Sequence, residues 1–184
     1  MREDIWLRLV RKFLDVGGEE LLMLRNISNR TAVHLLCRNA SYENSKILQE
    51  LIKVGGEKIL KQMDMYGNTA LHAICDVCNQ QSPEMVNDMI VAGGAEVVFL
   101  QNVDGFTPLH VACKKSGSSP YRLEVINQLL EAGRQRLLFH PCEDTTFDGE
   151  PVTAMQIEGW DPCQEVIDRL IEVGGERAAN LIRG

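Results

Sequence analysis

The sequence predicts an all-α fold, an α-solenoid in which helix-turn-helix repeats stack side by side. Three observations lead to this prediction. Glycine pairs recur at a nearly constant spacing, a Thr-x-x-His motif recurs with the same period, and an amphipathic helical pattern precedes each glycine. Two independent motifs that share one period indicate tandem repeats, which bury their apolar faces by stacking on their neighbours.

The glycines set the period of the repeat. Their first members are spaced by 38, 38, 40 and 41 residues, and the fourth segment keeps only one glycine. We expect each glycine to end a helix, because the left-handed conformation there favours a residue without Cβ. An apolar pair follows, such as Leu21 and Leu22, and we interpret it as a buried anchor under a loop. The recurring glycines are Gly17-Gly18, Gly55-Gly56, Gly93-Gly94, Gly133 and Gly174-Gly175.

A longer helix is predicted ahead of each glycine. Four apolar residues recur at the same distances before it, and their spacing places them on one broad helical stripe. In the first unit these residues are Leu9, Val10, Phe13 and Leu14. We therefore expect one amphipathic helix per unit that packs on the helices of adjacent units.

A shorter helix is predicted at each Thr-x-x-His segment. The threonine hydroxyl suits the N-cap, and Pro108 suits the first helical position of its unit. Turn residues come before it, and glycine or Asn29 supplies positive φ there. The residues predicted to build this motif are Thr31, His34, Gly67, Thr69, His72, Gly105, Thr107 and His110.

Two segments carry a more specific pattern. Residues 64–73 read Asp-Met-Tyr-Gly-Asn-Thr-Ala-Leu-His-Ala, and residues 105–113 read Gly-Phe-Thr-Pro-Leu-His-Val-Ala-Cys. Both resemble the D-x-x-G-x-T-[PA]-L-H-x-A pattern of ankyrin repeats, and the resemblance covers nearly the whole chain. A period of 38 exceeds the ~33 residues usual for the family, which implies enlarged loops.

The resemblance implies one ankyrin-repeat domain over residues 1–184. Terminal repeats are expected to be atypical, because one side of each faces solvent. In the last unit, Gln156 stands where the other units have histidine. The predicted units are an incomplete N-terminal unit at 1–28, repeats at 29–66, 67–104 and 105–147, and a degenerate C-terminal unit at 148–184.

The recurring histidines and cysteines invite a metal or redox interpretation. His34, His72 and His110 lie one layer apart, at ~10 Å, whereas zinc ligands lie within ~2.3 Å of one ion. The resemblance implies instead that they hydrogen-bond backbone groups at the helix start and in the adjacent loop. Cys75 and Cys78 form a single C-x-x-C, for which a zinc or redox role is the alternative to two buried structural thiols. We expect no metal, cofactor or disulfide framework.

Composition and missing motifs exclude several function classes. The net charge of −7 disfavours binding to nucleic acids or anionic membranes, and no apolar run approaches the ~20 residues of a membrane helix. The glycines follow helices and so do not form a phosphate-binding loop, and the carboxylates lie in turn-like segments. We expect a soluble, monomeric, intracellular protein of the cytoplasm without enzymatic activity.

The resemblance implies a protein-binding scaffold that uses its loop tips and the exposed face of its short helices. Tyr66 and Phe106 are the leading candidates, because aromatic anchors dominate interface energetics; the alternative is that one or both pack under the enlarged loop. The alternative function is a structural fragment or cap of a larger repeat array or multidomain protein. The residues assigned to partner binding are Arg30, Arg38, Met65, Tyr66, Asn68, Asp76, Val103, Phe106 and Lys114.

Overall fold

The structure is a computed structural model that describes residues 5–114, 119–147, 150–156 and 163–183. Eight α-helices lie in these ranges, together with a 3₁₀ helix, Ala95–Phe99, and two short strands. The elements are α1 (Ile5–Leu22), α2 (Ala32–Arg38), α3 (Tyr42–Leu60), α4 (Ala70–Val77), α5 (Ser82–Gly93), α6 (Pro108–Lys114), α7 (Pro120–Leu138), β1 (Cys142–Phe147), β2 (Glu150–Val152) and α8 (Gln164–Arg183).

The helices form two layers. The longer helices pack in chain order, α1 on α3, α3 on α5, α5 on α7 and α7 on α8. The shorter helices α2, α4 and α6 form the second layer, and each also packs on the longer helix that follows it. This arrangement confirms the predicted all-α solenoid of stacked helix pairs.

The predicted apolar stripes pack into the core between the layers, except in α1, where Leu9 and Phe13 are exposed. Leu48, Val86 and Ile126 occupy equivalent stripe positions in α3, α5 and α7, and all three are fully buried. Burying one such side chain contributes about 1.5–3 kcal/mol, so each junction between units is held mainly by these contacts. The core runs continuously along the stack as one cluster.

The glycine pair ends the longer helix as predicted in α5, which stops at Gly93 with Gly94 as its C-cap at φ 69°, whereas in α1, α3 and α8 the glycines differ from the prediction. Gly18 has φ 51° and ψ −146°, and the helix resumes directly after it, as it also does after Gly56 and Gly175. The apolar pairs that follow are buried apart from Leu21, which is partly covered. They lie on the resumed helical turn, or on the 3₁₀ helix after α5, and not under a loop. Arg134 adopts the same conformation in α7, with φ 52° and ψ −152°.

The last unit departs furthest from the prediction. Ahead of Thr153, where the other units have only a turn, β1 and β2 form an antiparallel hairpin with Phe147 opposite Glu150. Pro151 explains the change, because proline and the residue before it favour extended backbone. The described residues then make a single turn, with the Gln156 amide donating to the Thr153 carbonyl. Most of the short helix expected after Thr153 lies outside the described residues, and so do Asp148 and Gly149, where the predicted last unit begins.

Candidate partner-binding groove

Each short helix is preceded by a turn that one side chain organises. In the second such turn, Asp64 Oδ1 accepts the backbone N–H groups of Tyr66 and Asn68, at 2.9 and 3.0 Å. Asn26 and Asn102 have the same role in the preceding and the following turn. Side-chain oxygens of Asp and Asn stabilise turns in this way, so the loops have one shared conformation.

Neighbouring loops are joined at their ends. The Met65 N–H donates to the carbonyl oxygen of Ser28 at 3.1 Å, and the Val103 N–H donates to that of Tyr66 at 3.0 Å. These bonds fix the loop tips, which we define as Met65, Tyr66 and Val103. All three tip side chains are at least half exposed, so the fold presents apolar groups to solvent on a rigid edge.

The Thr-x-x-His motif links each helix start to the next loop. In the second repeat, the Thr69 N–H donates to His72 Nδ1 at 3.1 Å, and the Thr69 hydroxyl lies 2.8 Å from the same nitrogen. Nδ1 is therefore an acceptor, which leaves Nε2 to donate to the carbonyl oxygen of Phe106 at 2.8 Å. His34 makes the equivalent contact to Asn68 at 3.0 Å.

His34 and His72 are uncharged at neutral pH. Burial lowers the pKa of His34, and it lowers the pKa of His72 to about 4, because a buried imidazolium loses its hydration. The neutral imidazole matches the contacts above, in which one ring nitrogen accepts and the other donates. In the last unit Gln156 keeps half of this pattern, since its Oε1 accepts from the Thr153 hydroxyl at 3.0 Å.

A groove of about 610 Å³ runs between the short helices and the loops. Residues at equivalent positions of successive repeats line it, so the 38-residue period sets its walls. Six of the nine residues assigned to partner binding lie in it, and the other three are the loop tips. The groove is lined by Arg30, His34, Arg38, Asp64, Asn68, His72, Ala73, Asp76, Asp104, Phe106, Val111 and Lys114.

The charged residues of the groove are of two kinds, a covered ion pair and a set of exposed side chains. Arg30 Nε lies 3.1 Å from Asp64 Oδ2, and both side chains are largely covered, so this ion pair belongs to the wall. Arg38, Asp76 and Lys114 are exposed and lie 38 residues apart near the ends of α2, α4 and α6. The open face of the groove thus presents a positive, a negative and a positive group in successive repeats.

Phe106 does not form an exposed tip, which corrects the expectation for this residue. It is only 9% exposed, its ring stacks on His110 at 5.8 Å between centroids, and it packs with Cys142. Lys114 Nζ lies 5.0 Å from the ring centroid on the groove side. Phe106 therefore forms groove wall, whereas Tyr66 is exposed as expected.

Five of the six cysteines are buried, and Cys163 is partly buried against the core. Burial raises the pKa of Cys37 and Cys113 to about 12 and that of Cys75 well above its ordinary value. The Cys78 thiol donates to the carbonyl oxygen of Cys75 at 3.0 Å. Thiols held protonated are poor ligands and poor nucleophiles. Within the described ranges, no group of three or more His, Cys, Asp or Glu side chains is placed to hold a metal ion.

Several lining residues were not assigned from the sequence. Asp64 was interpreted only as a turn residue, and Ala73 and Val111 carry no charge or ring that would draw attention. The period itself was the signal that would have found two of them, because Ala73 and Val111 are 38 residues apart and follow the motif histidines directly. Asp64 could be assigned to the groove only from the structure, in which Arg30 of the adjacent repeat forms an ion pair with it.

Comparison with known proteins agrees with this architecture. A family model described as ankyrin repeats (3 copies) matches residues 36–137, which is more than half of the chain. Among curated protein sequences, none matches this one. The crystal structure of EF0377, an ankyrin repeat protein, matches with a TM-score of 0.63 over 95% of this chain and 74% of its own, and at 17% identity this likeness shows the fold alone. No described helix is long and apolar enough to cross a membrane. The chain thus belongs to the ankyrin repeat family, whose repeats generally serve as protein–protein interaction modules.

Proposed function

We propose that the chain is a non-enzymatic scaffold that binds an extended segment of a protein partner along the groove, with the loop tips as a second contact. The observation that carries this proposal is the convergence of equivalent residues from three repeats on one continuous groove. Solenoids present binding surfaces of this kind because each repeat adds one more copy of the same wall.

The charges suggest which segment would fit. Packed helices lie 8–10 Å apart, and an extended peptide advances ~3.3 Å per residue, so one repeat spans about three residues. Arg38, Asp76 and Lys114 would then face acidic, basic and acidic side chains at three-residue intervals. Because this pattern is the same in both directions, charge alone favours neither polarity of the bound segment.

The loop tips would supply most of the apolar contact. Met65, Tyr66 and Val103 are exposed, yet the bonds between loops hold their backbone in place. Burying one such side chain against a partner contributes about 1.5–3 kcal/mol, and little ordering entropy opposes it when the loop is already rigid. Tyr66 is the strongest anchor candidate, since tyrosine is enriched among the residues that dominate binding energy.

Quantitative capture from a cell extract tests this proposal, with Tyr42 as the matched control. Tyr42 is 57% exposed on α3, close to the 50% of Tyr66, and it does not line the groove. Immobilised wild type and Tyr42→Ala should retain the same partner, whereas Tyr66→Ala and Arg38→Glu should lose most of it. Equal retention by all four proteins would refute binding at the groove and tips.

A further inference from the structure

The outer face of α1 carries an exposed apolar stripe. Ile5, Leu9, Phe13 and Val16 are 69%, 40%, 63% and 91% exposed. Their spacing of four, four and three residues places them on one side of the helix, opposite Leu14, which packs in the core. A row of four large apolar side chains on one helix face is the pattern of a helix-packing surface.

Comparison between units shows how the position of Phe13 is used elsewhere in the stack. Phe13 stands at the position that Leu51, Met89, Leu129 and Leu170 occupy in the other units, and each of those is at most 4% exposed. At the opposite end of the stack, α8 exposes Glu165, Asp168 and Glu172 along its outer side. The outer sides of α8 and α1 therefore differ, because that of α8 is polar and that of α1 keeps the apolar chemistry of an internal junction.

The charges of α1 indicate what covers the stripe. Among its exposed residues, Arg8 and Lys12 lie in the first half of the helix, whereas Asp15 and Glu20 lie in the second half. This order is the reverse of what the helix dipole favours. Two copies of α1 placed antiparallel would bring the basic half of each onto the acidic half of the other.

We propose that the chain forms a two-fold symmetric dimer through antiparallel packing of α1 on α1 of a second copy. In this arrangement Leu9 of each copy meets Phe13 of the other, Ile5 meets Val16, and Arg8 lies opposite Asp15. An interface of this type is self-complementary, as two-fold symmetry requires. The dimer is a property of the outer end of the stack and leaves the groove open.

The expected dimer is weak, because a stable interface needs about 800 Å² from each partner and one helix face supplies less. Light scattering coupled to size exclusion should show a mass that rises with protein concentration from 20.6 kDa toward twice that value. A mass that rises in this way would contradict the prediction of a monomer made from the sequence.

Two single substitutions locate the interface. Phe13→Glu should leave a monomer at every concentration, while Val91→Glu, on an exposed valine of α5 that is 76% exposed, should dimerise like the wild type. Thermal unfolding should be alike for both variants, since neither side chain is in the core. If the wild type stays a monomer up to about 1 mM, the proposal is overturned and the stripe has a different occupant. The proposal is also overturned if Phe13→Glu and Val91→Glu have equal effects on dimerisation.

Charge reversal tests the antiparallel arrangement. Arg8→Glu and Asp15→Lys should each weaken dimerisation several-fold, because each places like charges opposite one another. The double variant Arg8→Glu/Asp15→Lys should restore dimerisation to near the wild-type level. Failure of the double variant to recover while the single variants are impaired would exclude this pairing.

Discussion

His72 Nε2 lies 2.8 Å from the carbonyl oxygen of Phe106, so the short helix of one repeat holds the loop of the next. His34 makes the same contact to Asn68, one period earlier. The imidazole also accepts from its own N-cap threonine, and therefore one side chain joins a helix start to a neighbouring loop. Such contacts couple each repeat to its neighbour, which is the main source of cooperativity in repeat proteins.

We predict that stability falls as the pH falls from about 6.5 to about 4. The pKa of His72 is lowered to about 4 in the folded chain, so the unfolded chain binds more protons in this window. Stability is fully present above 6.5 and is lost as the pH approaches 4, by about 3 kcal/mol at ~1.4 kcal/mol per pKa unit. Urea unfolding at pH 7.5 and pH 4.5 measures the difference.

The control for this prediction comes from the last unit of the chain. Gln156 replaces the motif histidine there and still accepts from Thr153. His72→Gln should therefore keep a folded protein at pH 7.5 and reduce the loss of stability on acidification. An unchanged pH dependence in His72→Gln would show that other groups cause it.

Gly67→Val should lower the free energy of unfolding by more than about 1 kcal/mol. Gly67 has φ 71°, which β-branched residues resist, and a Cβ there would lie 2.8 Å from the backbone nitrogen of Val103.

Gly67→Asn separates the two causes, because asparagine tolerates positive φ but still carries the Cβ. Asn29→Gly, at the same turn position with φ 60°, should change stability by less than about 0.5 kcal/mol. An unchanged melting temperature for Gly67→Val would refute this assignment.

Arg134→Gly should raise stability by about 1 kcal/mol. Arg134 has φ 52° and ψ −152°, a backbone region that costs a non-glycine residue about 1–3 kcal/mol, and some of this gain is offset by the greater freedom of glycine in the unfolded chain. The urea midpoint should rise with the slope unchanged. As a control, Glu131→Gly inside the same helix should lower stability. If Arg134→Gly lowers stability by a similar amount, Arg134 is not strained.

Thiol labelling should separate Cys163 from the other cysteines. Five of the six cysteines are buried, and Cys163 is partly exposed. Because only the thiolate reacts readily, Cys37 and Cys113, with pKa about 12, should stay unlabelled in the folded protein. An aromatic disulfide reagent at pH 8 should therefore label about one thiol quickly in the folded chain, and all six after unfolding. Rapid labelling of Cys75 would restore the redox interpretation.

The period predicted much of the fold, because each repeat obeys the same local rules. Asn29, Gly67 and Gly105 all have positive φ, as the turn pattern predicts. The role of the first glycine in each pair was not predictable in this way. A Cβ on Gly55 would overlap Ile59 Cγ2, so this glycine is required by packing against the resumed helix, which spacing alone does not reveal.

The site was less predictable than the fold. The period identified which positions face the groove, but exposure depends on tertiary contacts that differ between repeats. Tyr66 is exposed, whereas Phe106 is covered, partly because Cys142 of a later segment packs against it. Phe106 corresponds to Asn68 one period earlier, which is only partly buried, so positions one period apart can share a backbone conformation without sharing accessibility.

The bond from the Met65 amide to Ser28 and its counterpart from Val103 to Tyr66 make the loops interchangeable. Removing residues 64–101, one period of 38, would join Met63 to Asn102 and bring the Val103 amide to the place where the Met65 amide now donates. The flanking helices would meet surfaces of the kind they already contact. A chain shortened in this way would lose one repeat, including Asp76 and the Arg30–Asp64 ion pair, while a hydrogen bond between the remaining loops would be kept.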